Sequence, residues 1–205
     1  MKIAPCAGLV ALLALSQTAV AQAPEEQAEK EARRACEAKI CDIVATRDPS
    51  GEDVSCDIVK TWREEELVKA VGGRINWPWG GAMCQSKIAL ERAALAKAMS
   101  EPAYEMTLPT QTARCALDQK EGGDPYVFEI SVAPRLKFEN GKAIAGQVNW
   151  GKASAPVAIY PLIYAGTALD NSTNVLGPEL VRVVNEFTTK KCPLVKAALP
   201  NGAVH

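Results

Sequence analysis

Seven cysteines are spread along this 205-residue chain, and the fate of the first decides how the other six can be used. Cys6 lies between Lys2 and an apolar run from Leu9 to Leu15, and Ala19-Val20-Ala21 then supplies the small residues a signal peptidase requires. Cleavage after Ala21 is favoured over cleavage after Ala23, which would leave Pro24 as the first residue of the product. The apolar core is too short to span a bilayer, and Ser16-Gln17-Thr18 closes it with polar groups, so residues 1–21 read as an export signal and not an anchor. Cys6 precedes the apolar run, where a lipid-modified cysteine would follow it.

Removing residues 1–21 turns an odd set into an even one: Cys36, Cys41, Cys56, Cys84, Cys115 and Cys192. In an oxidising compartment this reads as three disulfides, with the pairing left open by sequence alone. There is no Cys-x-x-Cys for thiol exchange, and the one close pair, Cys36 and Cys41, lacks the spacing of a zinc site. Cys192, next to Pro193, is placed to staple the last helix to the body. The alanine-rich signal reads as bacterial, which gives the periplasm as the location and secretion as the alternative.

Charge and histidine content remove further classes. With 23 basic and 24 acidic side chains, the chain has no surplus of cations to displace counterions from nucleic acid. The single histidine is the last residue, His205, so Ser-His-Asp and Cys-His catalysis and histidine zinc sites have no partner group. Carboxylates are the acid–base groups that remain, among them Glu64-Glu65-Glu66, Glu91, Asp118 and Glu129, but no spacing singles out a pair. Asp170-Asn171-Ser172-Thr173-Asn174 offers oxygen atoms, yet lacks the acidic density of a calcium loop and reads first as a turn. No motif calls for a cofactor or a metal.

Periodicity gives the elements. Residues 24–45 read as a helix with Glu25, Glu26 and Glu29 at its positive end, and its weakly apolar start, residues 22–35, is expected to project. Asp48-Pro49-Ser50-Gly51 makes a turn, 54–62 a strand, and 64–71 a short helix stopped by Gly72-Gly73. Cys-Asp-Ile-Val occurs at 41 and again at 56, which is chance or two similar elements sharing a core. Residues 82–100, alanine-rich with a Cys84, Ile88, Leu95, Met99 stripe, read as a helix. Strands follow at 105–117, 126–138 and 143–150, the last two joined by Asn140-Gly141, a strong hairpin signal. A helix begins near Pro161, a final helix runs from Pro178 to Lys191, and 194–205 reads as a loose tail. The chain is therefore expected to be a single α+β domain over 22–205: an antiparallel sheet of about four strands packed against several helices and stabilised by disulfides.

Two segments stand out as candidate binding surfaces. Trp77-Pro78-Trp79-Gly80-Gly81 can form a rigid aromatic platform, although tryptophans filling the core beside Cys84 is the simpler reading. Residues 153–169 carry no charge at all, with Tyr160 and Tyr164 one turn apart; a buried central helix is the simpler reading here. Trp77, Trp79, Tyr160 and Tyr164 are thus the candidate ligand-binding residues of a non-enzymatic exported protein that binds an envelope component or another exported protein. The alternatives are a carboxylate-dependent glycan-acting enzyme and an assembly factor that dimerises through its N-terminal helix. The exported protein is expected to begin at Gln22 by intact mass and, once denatured without reductant, to show no titratable thiol.

Overall fold

The computed structural model describes residues 24–70 and 77–198; the export signal, Gly72-Gly73 and His205 lie outside the described residues. Helix α1 (Pro24–Thr46) opens with four exposed residues, Glu25 to Ala28, and is laced by the Glu26–Lys30 ion pair at 2.8 Å. Glu29 then reaches the end of the first strand, accepting hydrogen bonds from the Thr61 N–H and hydroxyl. The apolar side chains gather in the second half, where Cys36, Cys41 and Ile43 are buried. Arg47 ends the helix in the left-handed region (φ 56°), its N–H returning to the Ile43 carbonyl.

Strand β1 (Val54–Trp62) and helix α2 (Glu64–Ala70) fall where the sequence places them. The expected helix over 82–100 does not. Trp79–Leu90 is strand β2, and only Arg92–Ser100 is helical, as α3. Alanines and the 84/88 spacing suit a helix, but the same residues also alternate: Met83, Gln85 and Lys87 are exposed between Ala82, Cys84 and Ser86, which are not. β2 is hydrogen-bonded on both sides, to β1 and to the strand containing Cys115, and that pairing outweighs the intrinsic preference. The start of α3 is capped from afar, the Arg92 N–H donating to Asp53 Oδ1 at 2.9 Å, so no adjacent residue marks it.

The three later strand runs exist, but each is bent in the middle. The first divides into β3 (Ala103–Thr107) and β4 (Gln111–Gln119) at Pro109, and the second into β5 (Tyr126–Val132) and β6 (Arg135–Glu139) at Pro134. The third divides into β7 (Lys142–Gln147) and β8 (Trp150–Ser154) at Asn149, whose φ is 52°. A proline has no N–H to give to a ladder, so pairing lapses at the first two steps; at the third the left-handed Asn149 turns the chain out of the extended conformation. The bends are stitched to one another, Leu108 N–H to the Pro134 carbonyl and Ala133 N–H to the Asn149 carbonyl. In place of one sheet of about four strands there are two antiparallel sheets, ordered β1-β2-β4-β5-β8 and β3-β6-β7. The predicted Asn140-Gly141 turn joins β6 to β7, with φ of 50° and 77°.

Helices α4 (Tyr160–Thr173) and α5 (Gly177–Glu186) follow the sheets. A π-helical turn, Phe187–Lys191, then leads into α6 (Cys192–Ala198), so the chain stays helical past Pro193. The fold is α+β. Its core lies between α1, α3, α5 and both sheets, with Ile43 and Phe138 almost inaccessible among Leu95, Met99, Met106 and Leu136. Gly146 lets α5 approach β7, since a Cβ there would lie 3.2 Å from Val181 Cγ2. The repeated tetrapeptide is helical in α1 and extended in β1; the two copies share the core but not a conformation.

All six cysteines among the described residues are paired, which is the chemistry of an oxidising compartment. Cys36–Cys56 ties α1 to β1, Cys41–Cys192 ties α1 to α6, and Cys84–Cys115 joins directly opposed residues of β2 and β4. Amide side chains finish several ladders. Gln111 both accepts from and donates to the Ala89 backbone, beyond the end of the β2–β4 pairing; Asn185 does the same for Ala143 in β7. Loop-closure entropy gives about 5 kcal/mol for the bridge spanning 151 residues and about 3–4 kcal/mol for those spanning 31 and 20. Cys41→Ala with Cys192→Ala is therefore expected to lower the denaturant midpoint more than either of the other double replacements.

Candidate functional site

The Trp-Pro-Trp-Gly-Gly segment forms the start of β2, at the end of the five-stranded sheet remote from the main core. The Trp77 and Trp79 rings meet edge to face, centroids 5.1 Å apart and planes at 75°, and the Trp77 indole N–H donates to the Gly80 carbonyl at 3.0 Å. The β2–β4 register shifts between Trp79 and Ala82. Gly81 has no room for a side chain there: a Cβ would stand 2.8 Å from the Trp62 carbonyl oxygen. Trp62 lies opposite Ala82 in β1, with the Lys60 ammonium 5.5 Å above its ring. Three of the four tryptophans thus collect at one end of the sheet, each half-buried. The sequence pattern places Trp62 at the end of the 54–62 strand but not in this group, because only the β1–β2 register brings it there.

Tyr160 and Tyr164 lie on α4, stacked with centroids 5.9 Å apart and planes at 18°. The helix starts from a turn at Pro156, whose carbonyl accepts from the Ile159 and Tyr160 N–H groups. Its far end is anchored to β8. The buried Asp170 carboxylate accepts from the Trp150 indole N–H at 2.8 Å and from the Leu176 N–H at 2.7 Å, and the Asn171 amide brackets the Trp150 backbone with two bonds of 2.8 Å. Asp170 to Thr173 are therefore the last turn of a helix, and Asn174, at φ 53°, is its left-handed cap. Among the described residues no group of three or more His, Cys, Asp or Glu is placed to hold a metal ion.

Burial of the uncharged stretch is not what the structure shows. From Val157 to Leu169 only Ile159, Ile163 and Thr167 are not exposed, a single stripe one turn apart. Val157 is 90 % exposed, Tyr164 58 % and Leu169 57 %. Charge is absent because the surface is apolar, not because it is hidden.

The two aromatic pairs do not form one site. They sit toward the same end of the sheet, but β4 and β5 separate β2 from β8, about 14 Å at the usual strand spacing. Neither pair lines the cavity of about 430 Å³ elsewhere on the molecule, where Val44, Arg47 and Met99 face Asn140, Thr188 and Cys192 without a carboxylate. Asp170 is the one buried acidic group among the described residues, and its oxygens are already hydrogen-bonded. No described helix is long and apolar enough to cross a membrane. Compared with known families, curated proteins and solved structures, the chain shows no match.

Asp170→Ala would strand two part-buried donors. It is expected to cost roughly 2–4 kcal/mol and to speed hydrogen exchange in α4 before the rest of the molecule.

Proposed function

We propose that this chain is an exported, non-enzymatic binding or accessory protein of the cell envelope, working in the periplasm. The observation that carries the reading is the solvent face of α4 and the turn before it: ten exposed residues between Val157 and Leu169, none of them charged. Contiguous exposed apolar surface of this kind marks interaction sites, since a protein that works alone gains nothing by wetting it. Tyr160 and Tyr164 add wide, stiff rings with a polar tip, the residue type that dominates binding hot spots.

The tryptophan group is the second surface of the proposal. Trp62, Trp77 and Trp79 keep part of each ring accessible, and the Gly80-Gly81 backbone leaves the segment free of intervening side chains. That combination suits stacking against a sugar ring or an apolar peptide, both of which the envelope offers. The glycan-acting alternative gains no support, because the described cavity holds no carboxylate and the one buried carboxylate is held by two donors. The N-terminal arm offers only alanines among Glu25, Glu26, Lys30, Glu31, Arg33 and Arg34, a poor seam for a coiled coil.

Two double replacements test the reading. Tyr160→Ala with Tyr164→Ala, and Trp77→Ala with Trp79→Ala, are each expected to weaken cross-linked capture of the partner from envelope extracts. The thermal midpoint is expected to stay where it is in the tyrosine pair. A tyrosine variant that loses stability and keeps its partner would return these residues to a structural role.

A further inference from the structure

We infer that the protein partner of the α4 face is a second copy of this chain, bound through an antiparallel pairing of the two α4 helices about a twofold axis. The inference rests on the reading of α4 as a docking surface and is independent of the tryptophan group. At about 100° per residue, the inward stripe of Ile159, Ile163, Thr167 and Asp170 fixes what the opposite side of the helix presents. Its midline is Pro161, Ala165, Ala168 and Ser172, all exposed and all small or smooth. Tyr160 and Tyr164 stand along one flank; Leu162 and Leu169 stand along the other. The face is thus a shallow trough with an aromatic wall and an aliphatic wall.

A twofold axis crossing the helix near Ala165 makes this shape self-complementary. Antiparallel pairing keeps each wall on its own side, so tyrosine wall meets tyrosine wall and leucine wall meets leucine wall. Leu162 and Leu169 are equally far from the midpoint between them, so each falls beside the other in the second copy. Alanines along the midline let two helix axes approach to about 8 Å, the near end of ordinary helix packing.

Charge and exposed apolar side chains favour a copy over a lipid surface. An isologous interface sets every group against its own neighbourhood, so any net charge on the patch would oppose itself; from Ala153 to Leu169 there is none. A lipid surface is disfavoured by the same count. Between Lys152 and Arg182 there is no basic residue to meet anionic headgroups, where an interfacial helix is rich in them. Tyr160, Leu162, Tyr164 and Leu169 are each 41–58 % exposed, and antiparallel pairing withdraws these side chains from water.

The exported chain, with all six cysteines paired, accepts a single new thiol as a reporter. Ala165→Cys, treated with a short thiol–thiol cross-linker, is expected to give a species of twice the chain mass on a non-reducing gel. Ser172→Cys is expected to give none, because the axis would hold the two copies of that residue about 20 Å apart at the rise of an α-helix. Cross-linking at both positions overturns the antiparallel pairing, and cross-linking at neither overturns the inference. In sedimentation equilibrium the native chain is expected at two chain masses and Ala165→Glu at one, with an unchanged circular dichroism spectrum; Trp77→Ala with Trp79→Ala is expected to stay at two. A native chain at one mass at every concentration overturns the copy, while the docking reading still stands or falls by capture through Tyr160 and Tyr164. Flotation with phosphatidylethanolamine–phosphatidylglycerol vesicles that is lost in Ala165→Glu would name lipid as the occupant and overturn it as well.

Discussion

The rest of the molecule is built on two cysteines five residues apart in α1. Cys36 and Cys41 point to different sides of the helix, one bonded to β1 and the other to α6, so α1 is covalently fixed to both the strands and the C-terminal helices. The helix needs this. Of its 23 residues only Cys36, Cys41 and Ile43 are buried, and its opening turns are alanine, glutamine, glutamate and basic residues with little apolar surface to bury. A helix with so little apolar surface would not hold its place by burial alone. The bridges supply the constraint, and α1 in turn roofs the core over Val54, Cys56, Leu95 and Met99.

The second organising event is the fold in the three long strands. At Pro109, Pro134 and Asn149 the ladder lapses along one line, and the small sheet turns away to close over α3 and α5. The main core collects inside that angle. The other half of the large sheet runs out past it, carrying the three-tryptophan group at its tip and α4 along β8. Both candidate surfaces are accessible because the bend draws the helices that fill the core to one end.

Much of this architecture was readable from the residues. The N-terminal helix, β1, the Asn140-Gly141 hairpin and the pairing of all six cysteines from Cys36 onward follow from spacing, turn chemistry and parity. Three features resisted, each for a physical reason. The 79–90 strand hides behind alanines because its conformation comes from ladder bonds on both sides, which no local window contains. The division of each strand run was written in Pro109 and Pro134, but a proline marks a break without saying whether the chain resumes in the same sheet. The exposure of α4 was misread because absence of charge fits burial and interaction equally well; only the placement of Ile159, Ile163 and Thr167 as the sole inward stripe separates them. Of the candidate site, the residue types were legible. Their grouping, and the arrival of Trp62, were not, since register is a property of two strands at once.

The amide brackets have a consequence for how this protein meets others. An open sheet edge invites another strand. Here three of the four edge strands meet, at one or two positions each, side chains that imitate a strand: Asn171 on β8, Asn185 and Asn174 on β7, and Glu29 at the end of β1. Main-chain templating is closed off at these places, and with it the commonest route to fibrous assembly. Recognition is left to side chains on helices and ring faces, where a single substitution changes one contact and leaves the sheet intact.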